Sequence, residues 1–550
     1  MDITVGELVV RYLQKLGVRH VFGIPGAHIL PVFDKLYDSD IKTILTKHEQ
    51  GAAFMASGYA RCSGKIGACI ATTGPGATNL VTGIANAFMN GTPVLAITGE
   101  TPTYSFGKGA LQESSGEGTA VNQNYIFRGV TKYHKLVQRI DYLPHVLRSA
   151  ASALYSAVPG PVLLSFPYNV LREKVDASIL EDIETSKGRS SAEDCTIPLE
   201  GILELVRKAR HPIIIAGYGC VFSQTEGEIF NFCTQLNIPV ATSLKARGVI
   251  PETNDLSLGV LGITSKELAY RYLTEKADLL IFLGVSFGER TSYNWNPALL
   301  NGKKIIQVDI NPAQLEKTFE ADVAICCDVK KVLNKLEGAL KANPIEPKDT
   351  SYLPYYRDQY NHSTLNDEDF SLISYFLTKL HEHLNGNAVI FDDNIIYMQH
   401  YVNLTKNRCY FPNSGISSLG HAVPAAIGAK LSTSQPTLAI LGDGGFQMCC
   451  MELMTAVNYQ IPITVILLNN SSLGLVRKNQ YYNYSGRYIA CDFLNPDYAC
   501  LARAFGINYG HVASNSEADL VIAQIDFQNG INLIEVMMNK DGFPTYSSGR

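Results

Sequence analysis

Residues 437 to 470 read TLAILGDGGFQMCCMELMTAVNYQIPITVILLNN. The stretch opens on a short apolar run, Thr437 to Leu441, and turns through Gly442-Asp443-Gly444-Gly445. A helical pattern, MCCMELMTAVNY, follows, and a second apolar run, Ile463 to Leu468, ends in Asn469-Asn470. Short apolar runs bounded by Gly, Pro, Asn or Asp are typical of strands buried on both faces of a parallel sheet. A helix between two of them makes a β-α-β unit with a right-handed crossover. The same alternation fills the chain: 68–72, 93–98, 161–166, 212–216, 279–283 and 304–308 are further strand-like runs. The fold class is therefore α/β, with mainly parallel sheets flanked by helices.

Two stretches interrupt the alternation. Residues 171–196 are polar and charged, and 341–368 carry three prolines and little periodicity. Both read as linkers, dividing the chain into three consecutive domains of roughly 150 to 185 residues. With 46% hydrophobic and 18% charged residues among 550, the chain can bury several cores, which excludes a mainly disordered protein. Forty-six basic against 51 acidic side chains give a net charge of −5, which offers no footprint for nucleic acid. No apolar run reaches the ~18 residues of a membrane-spanning helix. The opening MDITVGELVV lacks the basic and apolar regions of a secretory signal. The expectation is a cytoplasmic protein without nucleic-acid or membrane partners. Its twelve cysteines form no CxxC pair and read as buried, reduced thiols.

The chemistry is sought at the carboxyl ends of the strands, where open parallel sheets bind ligands. Asp443 and Asn470 lie 27 residues apart, room for one helix and one strand, so both side chains emerge at neighbouring strand ends. A carboxylate and an amide oxygen suit a hard cation such as Mg²⁺, whose shell is often completed by phosphates and water. Gly444 and Gly445 let backbone approach an anion. A plain turn at Asp443-Gly444 and a helix cap at Asn470 is the competing reading. In the first block, Glu49 stands in Lys47-His48-Glu49-Gln50-Gly51, between a strand-like run and a helix of small residues. Taken alone it would be a partner for the helix dipole.

Together these segments resemble the thiamine diphosphate-dependent enzymes. The GDG-to-NN stretch is similar to their diphosphate-binding motif, and residues 47–61 to their HEQ-GA-GYAR stretch. Gly23-Ile24-Pro25-Gly26, Gly74 to Asn79 and Pro93 to Gly99 fall where that family has counterparts. The resemblance covers most of the chain and leans toward acetohydroxyacid (acetolactate) synthases. It implies a pyrimidine-binding domain over 1–172, a central domain over 192–342, and a diphosphate- and Mg²⁺-binding domain over 366–550. Asp443, Asn470 and the backbone carbonyl of Ser472 would hold Mg²⁺. Glu49 would hydrogen-bond the aminopyrimidine ring, making its amino group acidic enough to generate the ylid at the thiazolium carbon. Pro25, Gly26, Thr73 and Asn79 would join Glu49 around the cofactor. From the third block come Gly442, Gly444, Gly445, Leu475 and Leu419, the last as the apolar wedge that bends the cofactor. Because Glu49 and Asp443 approach one cofactor from different subunits in this family, a homodimer or homotetramer is implied.

What happens after a 2-keto acid loses CO₂ depends on the groups nearby. Simple decarboxylases commonly place an acid after the Gly-x-Pro-Gly turn, where this chain has Ala27-His28. The methyl group of Ala27 argues for carboligation, and His28 is the alternative proton source. Gln112, in a stretch similar to the synthases' Phe-Gln-Glu, would contact substrate oxygen, with Leu111 in place of the aromatic. The polar, Gly-rich Ser114 to Asn124 reads as a mobile loop. Asn479 stands where branched-chain biosynthetic members carry a large tryptophan, and the chain's only Trp is Trp295. Arg477 and Lys478 could meet an anionic acceptor or form a solvated helix face. Ile395 and Ile396 replace polar residues near the diphosphate. In the central domain, Gly217-Tyr218-Gly219 is a weak phosphate-loop signal. Some members hold FAD there, and an empty domain is the alternative. The leading expectation is a ThDP- and Mg²⁺-dependent carboligase acting on pyruvate or a related 2-keto acid. The alternatives are a non-ligating decarboxylase, a pyruvate oxidase-like enzyme and a catalytically silent homologue.

Overall fold

A computed structural model describes residues 2–183, 195–365 and 367–544. Three six-stranded sheets, parallel throughout, succeed one another along the chain. The first runs, edge to edge, Lys42–Leu45, His20–Gly23, Gly67–Ala71, Val94–Glu100, Val162–Pro167, Tyr133–Leu136. The third runs Tyr410–Pro412, Val389–Asp392, Thr437–Gly442, Thr464–Asn469, Asn532–Met537, Asn508–Val512. Numbered within each domain, both orders are 2-1-3-4-6-5. The middle sheet runs Ser257–Val260, Val240–Thr242, Pro212–Ala216, Leu279–Leu283, Lys304–Asp309, Val323–Cys326, the order 3-2-1-4-5-6. Each order reverses at one point, leaving a crevice at the carboxyl ends of the two strands that flank it. The inner strands are apolar on both faces because helices cover both sides.

The first and third domains share a core. The helix Glu49–Ser63 is buried on nearly all sides, and its small residues let backbone meet backbone. A Cβ on Gly58 would lie 2.0 Å from the Ala425 carbonyl oxygen, and one on Gly428 2.0 Å from that of Met55. The helix Ala422–Lys430 therefore packs directly on Glu49–Ser63.

Three expectations need correction. The segment 341–368 is not a bare linker: it holds the helix Leu353–Tyr360, and the helix Asp367–His383 begins at its end. Leu353 and Tyr356 are buried on the central domain, where the Tyr356 hydroxyl donates to Glu275 at 2.7 Å. Pro354 starts that helix rather than breaking it, and Tyr352, Tyr356 and Tyr360 recur at helical spacing. Within 171–196, Lys174–Asp176 forms a strand antiparallel to Asp2–Thr4, while 184–194 lie outside the described residues. The cysteines are not all reduced thiols: Cys195 and Cys327 are joined as a disulfide, and Cys326 and Cys500 are exposed. No helix among the described residues is long and apolar enough to cross a membrane.

Candidate active site

In the third domain the order reverses between Val389–Asp392 and Thr437–Gly442, so these strands deliver Asp393 and Asp443 to the same crevice. Asp443 is fully buried. Its Oδ1 accepts from the Gly444 N–H at 2.9 Å, and its Oδ2 from the Ser471 N–H at 2.6 Å and the Asn495 amide at 2.8 Å. Burial pushes this carboxyl above its usual range, and those three donors pull it back. The neighbouring strand Thr464–Asn469 delivers Asn470, whose Oδ1 accepts from the Ser472 N–H at 3.2 Å.

One cavity is lined by Gly442, Gly444, Gly445, Asn470, Ser472 and Leu475. Leu419 also lines it and is half-buried, a wall residue rather than ordinary core. The glycines are needed for space: a Cβ on Gly444 would sit 2.6 Å from Leu473, and one on Gly474 2.8 Å from the Asn470 amide nitrogen. Ile395 and Ile396 line the same wall.

Two residues here escaped the sequence reading. Asp393 accepts from the N–H groups of Gly420 and Ala422 at 2.7 and 2.9 Å, fixing the loop that carries Leu419, and burial pushes it up to about 7. Asn495, 25 residues beyond Asn470, lies 2.8 Å from Asp443, 2.7 Å from the Asn469 side-chain oxygen and 3.3 Å from the Ser471 hydroxyl. No local pattern marks it; only the fold brings Asn495 back. Arg477 does not face the cavity as a free cation: Asp492 and Asp541 each accept from it at 2.6 Å, and it stacks on Tyr488.

In the first domain, His48 caps the helix Glu49–Ser63, and Glu49 is 9% exposed at its first turn. The Asn79 amide donates to Glu49 Oε2 at 2.9 Å. Gly76 and Gly26 admit close approach: a Cβ on Gly76 would lie 3.6 Å from Glu49 Oε1, and one on Gly26 2.6 Å from Thr72. Pro25 and Ala27 are exposed beside them. Gln112 takes φ +61° next to Gly74. Burial lowers the His28 pKa.

Thr73 differs from expectation. Its buried hydroxyl points at Glu100, Gln123 and the Gln112 carbonyl at 3.1–3.3 Å, which leaves only its backbone for a ligand. Glu100, at the end of Val94–Glu100, is a further unforeseen residue: it accepts from the N–H groups of Thr101 and Ser114 and so anchors the Gln112 loop. That loop is a closed turn, with Ser115 bridged to Asn122 and the Gly116 N–H donating to Val121 at 3.1 Å. Among the described residues, none from the first domain lines the third-domain cavity. The residues around Glu49 and the Gly442–Ser472 cavity thus lie at different places in one chain.

Residues 3–119, 199–336 and 393–536 match, in order, the N-terminal, central and C-terminal domain models of the thiamine pyrophosphate enzymes. The chain belongs to that family. The probable acetolactate synthase large subunit of Methanocaldococcus jannaschii is 32% identical, over 97% of this chain and 91% of its own length. The acetolactate synthase large subunit of Mycobacterium tuberculosis is 35% identical, over 92% and 83%. The isozyme 2 large subunit of Escherichia coli is 31% identical, over 97% and 95%. The chain is a thiamine pyrophosphate-dependent enzyme of the acetolactate synthase type. Glu49 lies within the match to the family's N-terminal binding domain, and Gly442–Ser472 within the match to its C-terminal binding domain.

Proposed function

We propose that the protein decarboxylates pyruvate or a related 2-keto acid and joins the remaining acyl unit to a second carbonyl compound, using thiamine diphosphate and Mg²⁺. The donor set fits the metal: a buried carboxylate, an amide oxygen and backbone carbonyls are hard oxygen ligands. Gly442, Gly444 and Gly445 along the cavity wall let backbone come close to a diphosphate. Asp443, Asn470 and the Ser472 carbonyl would hold the ion, and the N–H groups opening the helix Gly474–Asn483 would be available to the phosphates. When bound, the cofactor supplies the electron sink that takes up the carbanion left by CO₂ loss.

The chain's own residues supply binding, orientation and proton control. Glu49, oriented by Asn79 in a nearly dry setting, holds the proton at the cofactor's ring nitrogen. Gln112 and His28 would flank the reacting end of the substrate. Burial disfavours the protonated form of His28, which makes it a poorer acid for releasing free aldehyde. With the methyl group of Ala27 where simple decarboxylases place an acid, this supports carboligation over simple decarboxylation. Both steps are redox-neutral, so a flavin in the central domain has no part in them. There, a Cβ on Gly217 would lie 2.1 Å from the Gly284 carbonyl oxygen, so its glycine serves loop packing.

Two copies complete the site: Glu49 of one chain faces the Asp443 cradle of its partner. The separation of the half-sites supports this, as do bare apolar side chains near both, Leu111 at 82% and Leu494 at 96% exposure. A mass-spectrometric product survey with pyruvate, other 2-keto acids and aldehydes tests the reading. Acetolactate or a related ketol is expected. Free aldehyde as sole product would overturn it, and bleaching of a bound flavin by pyruvate would point to an oxidase.

A further inference from the structure

At the opposite edge of the first sheet, where its strands begin, a second cavity opens at the meeting of all three domains. The first domain contributes Arg19, Arg61 and Lys65, and the third contributes Arg408. Tyr155, Tyr218 and Phe222 supply aromatic walls. Four cations line the cavity and no carboxylate does. None of the four has an ion-pair partner among the described residues.

Arg61 is the decisive residue. It is 6% exposed, its guanidinium lies 5.1 and 5.8 Å from the ring centres of Phe411 and Phe391, and its Nη2 donates to the Pro412 carbonyl at 3.3 Å. Its Nε and Nη1 are buried with no hydrogen-bond partner. The Tyr218 hydroxyl, on the cavity wall, is the first polar group to reach it, and the acid whose charge reaches it, Asp392, has one oxygen occupied by the Tyr410 hydroxyl. Lys245, 5.7 Å from the Tyr218 ring centre, is pushed down to about 7 by burial and by Arg61. A buried guanidinium with open donors is costly unless an anion meets it. Arg61 lies twelve residues along its helix from Glu49, about 18 Å, so this is not the catalytic cavity.

We propose that this cavity binds a small phosphate ester with a planar ring, of the nucleotide class. The guanidiniums of Arg61 and Arg408 pair with phosphate oxygens, Arg19 and Lys65 add charge at the rim, and the ring lies against Tyr155, Tyr218 and Phe222. The test uses the full-length enzyme saturated with thiamine diphosphate and Mg²⁺, so that the diphosphate cradle is filled. Isothermal titration with ADP, pyrophosphate and pyruvate is run on wild type and on Lys65→Gln and Arg408→Gln, rim changes outside the catalytic machinery. ADP is expected to bind once per chain and to raise the melting temperature, with pyrophosphate weaker. Each variant should weaken ADP by about tenfold while keeping the unliganded melting temperature. No ADP binding at millimolar concentration, or ADP binding untouched in the double variant, would overturn the site. Equal affinity for pyrophosphate, or binding of pyruvate alone, would overturn the ligand class.

Discussion

Replacing Asn495 with Ala probes whether the third-domain crevice is a metal cradle. The Asn495 amide reaches Asp443 Oδ2 at 2.8 Å and ties the Asn469-Ser471 turn to the same carboxylate. The Ser471 and Gly444 N–H groups remain in the variant, so Asp443 loses one of three donors and stays in place. A hydrogen bond to a charged group contributes about 1.5–3 kcal/mol, and an outer partner of a metal ligand typically accounts for about 10–100-fold in affinity. The assay strips the enzyme with a chelator and follows cofactor retention and activity during a Mg²⁺ titration. The apparent Mg²⁺ affinity should fall by about 10–100-fold, with activity returning toward wild type at saturating metal. Unchanged Mg²⁺ dependence in a folded variant would refute the role of Asn495. Unchanged dependence in Asp443→Ala as well would place the metal elsewhere.

Three further outcomes follow from the same geometry. Glu49→Gln should retain thiamine diphosphate and Mg²⁺ yet lose exchange of the cofactor's C2 proton, read by deuterium incorporation; wild-type exchange would remove Glu49 from its role. Glu252→Ala leaves the buried Arg247 without its two 2.7 Å contacts and should cost about 3–5 kcal/mol, measured by denaturant unfolding, because Arg247 also holds the Met398 and Val402 carbonyls across the domain boundary. Burial raises Asp393 to about 7, so the folded chain binds that proton more tightly than the unfolded chain, and stability falls as pH rises from about 4 to 7. Asp393→Asn should therefore gain on wild type by roughly 2–4 kcal/mol between pH 4 and 8 in denaturant unfolding; parallel pH profiles would contradict this.

Local patterns made the strand ends that line the candidate site legible. Apolar runs ending in Gly442-Asp443 or Asn469-Asn470 place side chains at strand ends whatever the rest of the chain does, and Gly442, Gly444, Gly445 and Asn470 line one cavity, together with Ser472, Leu475 and Leu419, which the resemblance supplied. Asn495, Asp393 and Glu100 were not legible, because each matters through a partner far along the chain. Thr73 came from the resemblance as a cofactor contact, and nothing local in the sequence shows that burial turns its hydroxyl inward. The repeated 2-1-3-4-6-5 order escaped notice because topology is set by crossovers, which leave no periodic trace in sequence. Proline at 354 was mistaken for a breaker because its effect depends on whether it falls in a helix's first turn.

Mixing two inactive variants tests the shared site most directly. Glu49→Gln and Asp443→Ala chains are combined in equal amounts, allowed to exchange subunits, and assayed for carboligation. If each site takes Glu49 from one chain and Asp443 from the other, half the dimers are hybrids with one intact site, and activity returns to about a quarter of wild type. Activity no higher than that of the two variants alone, with subunit exchange verified, would contradict the account.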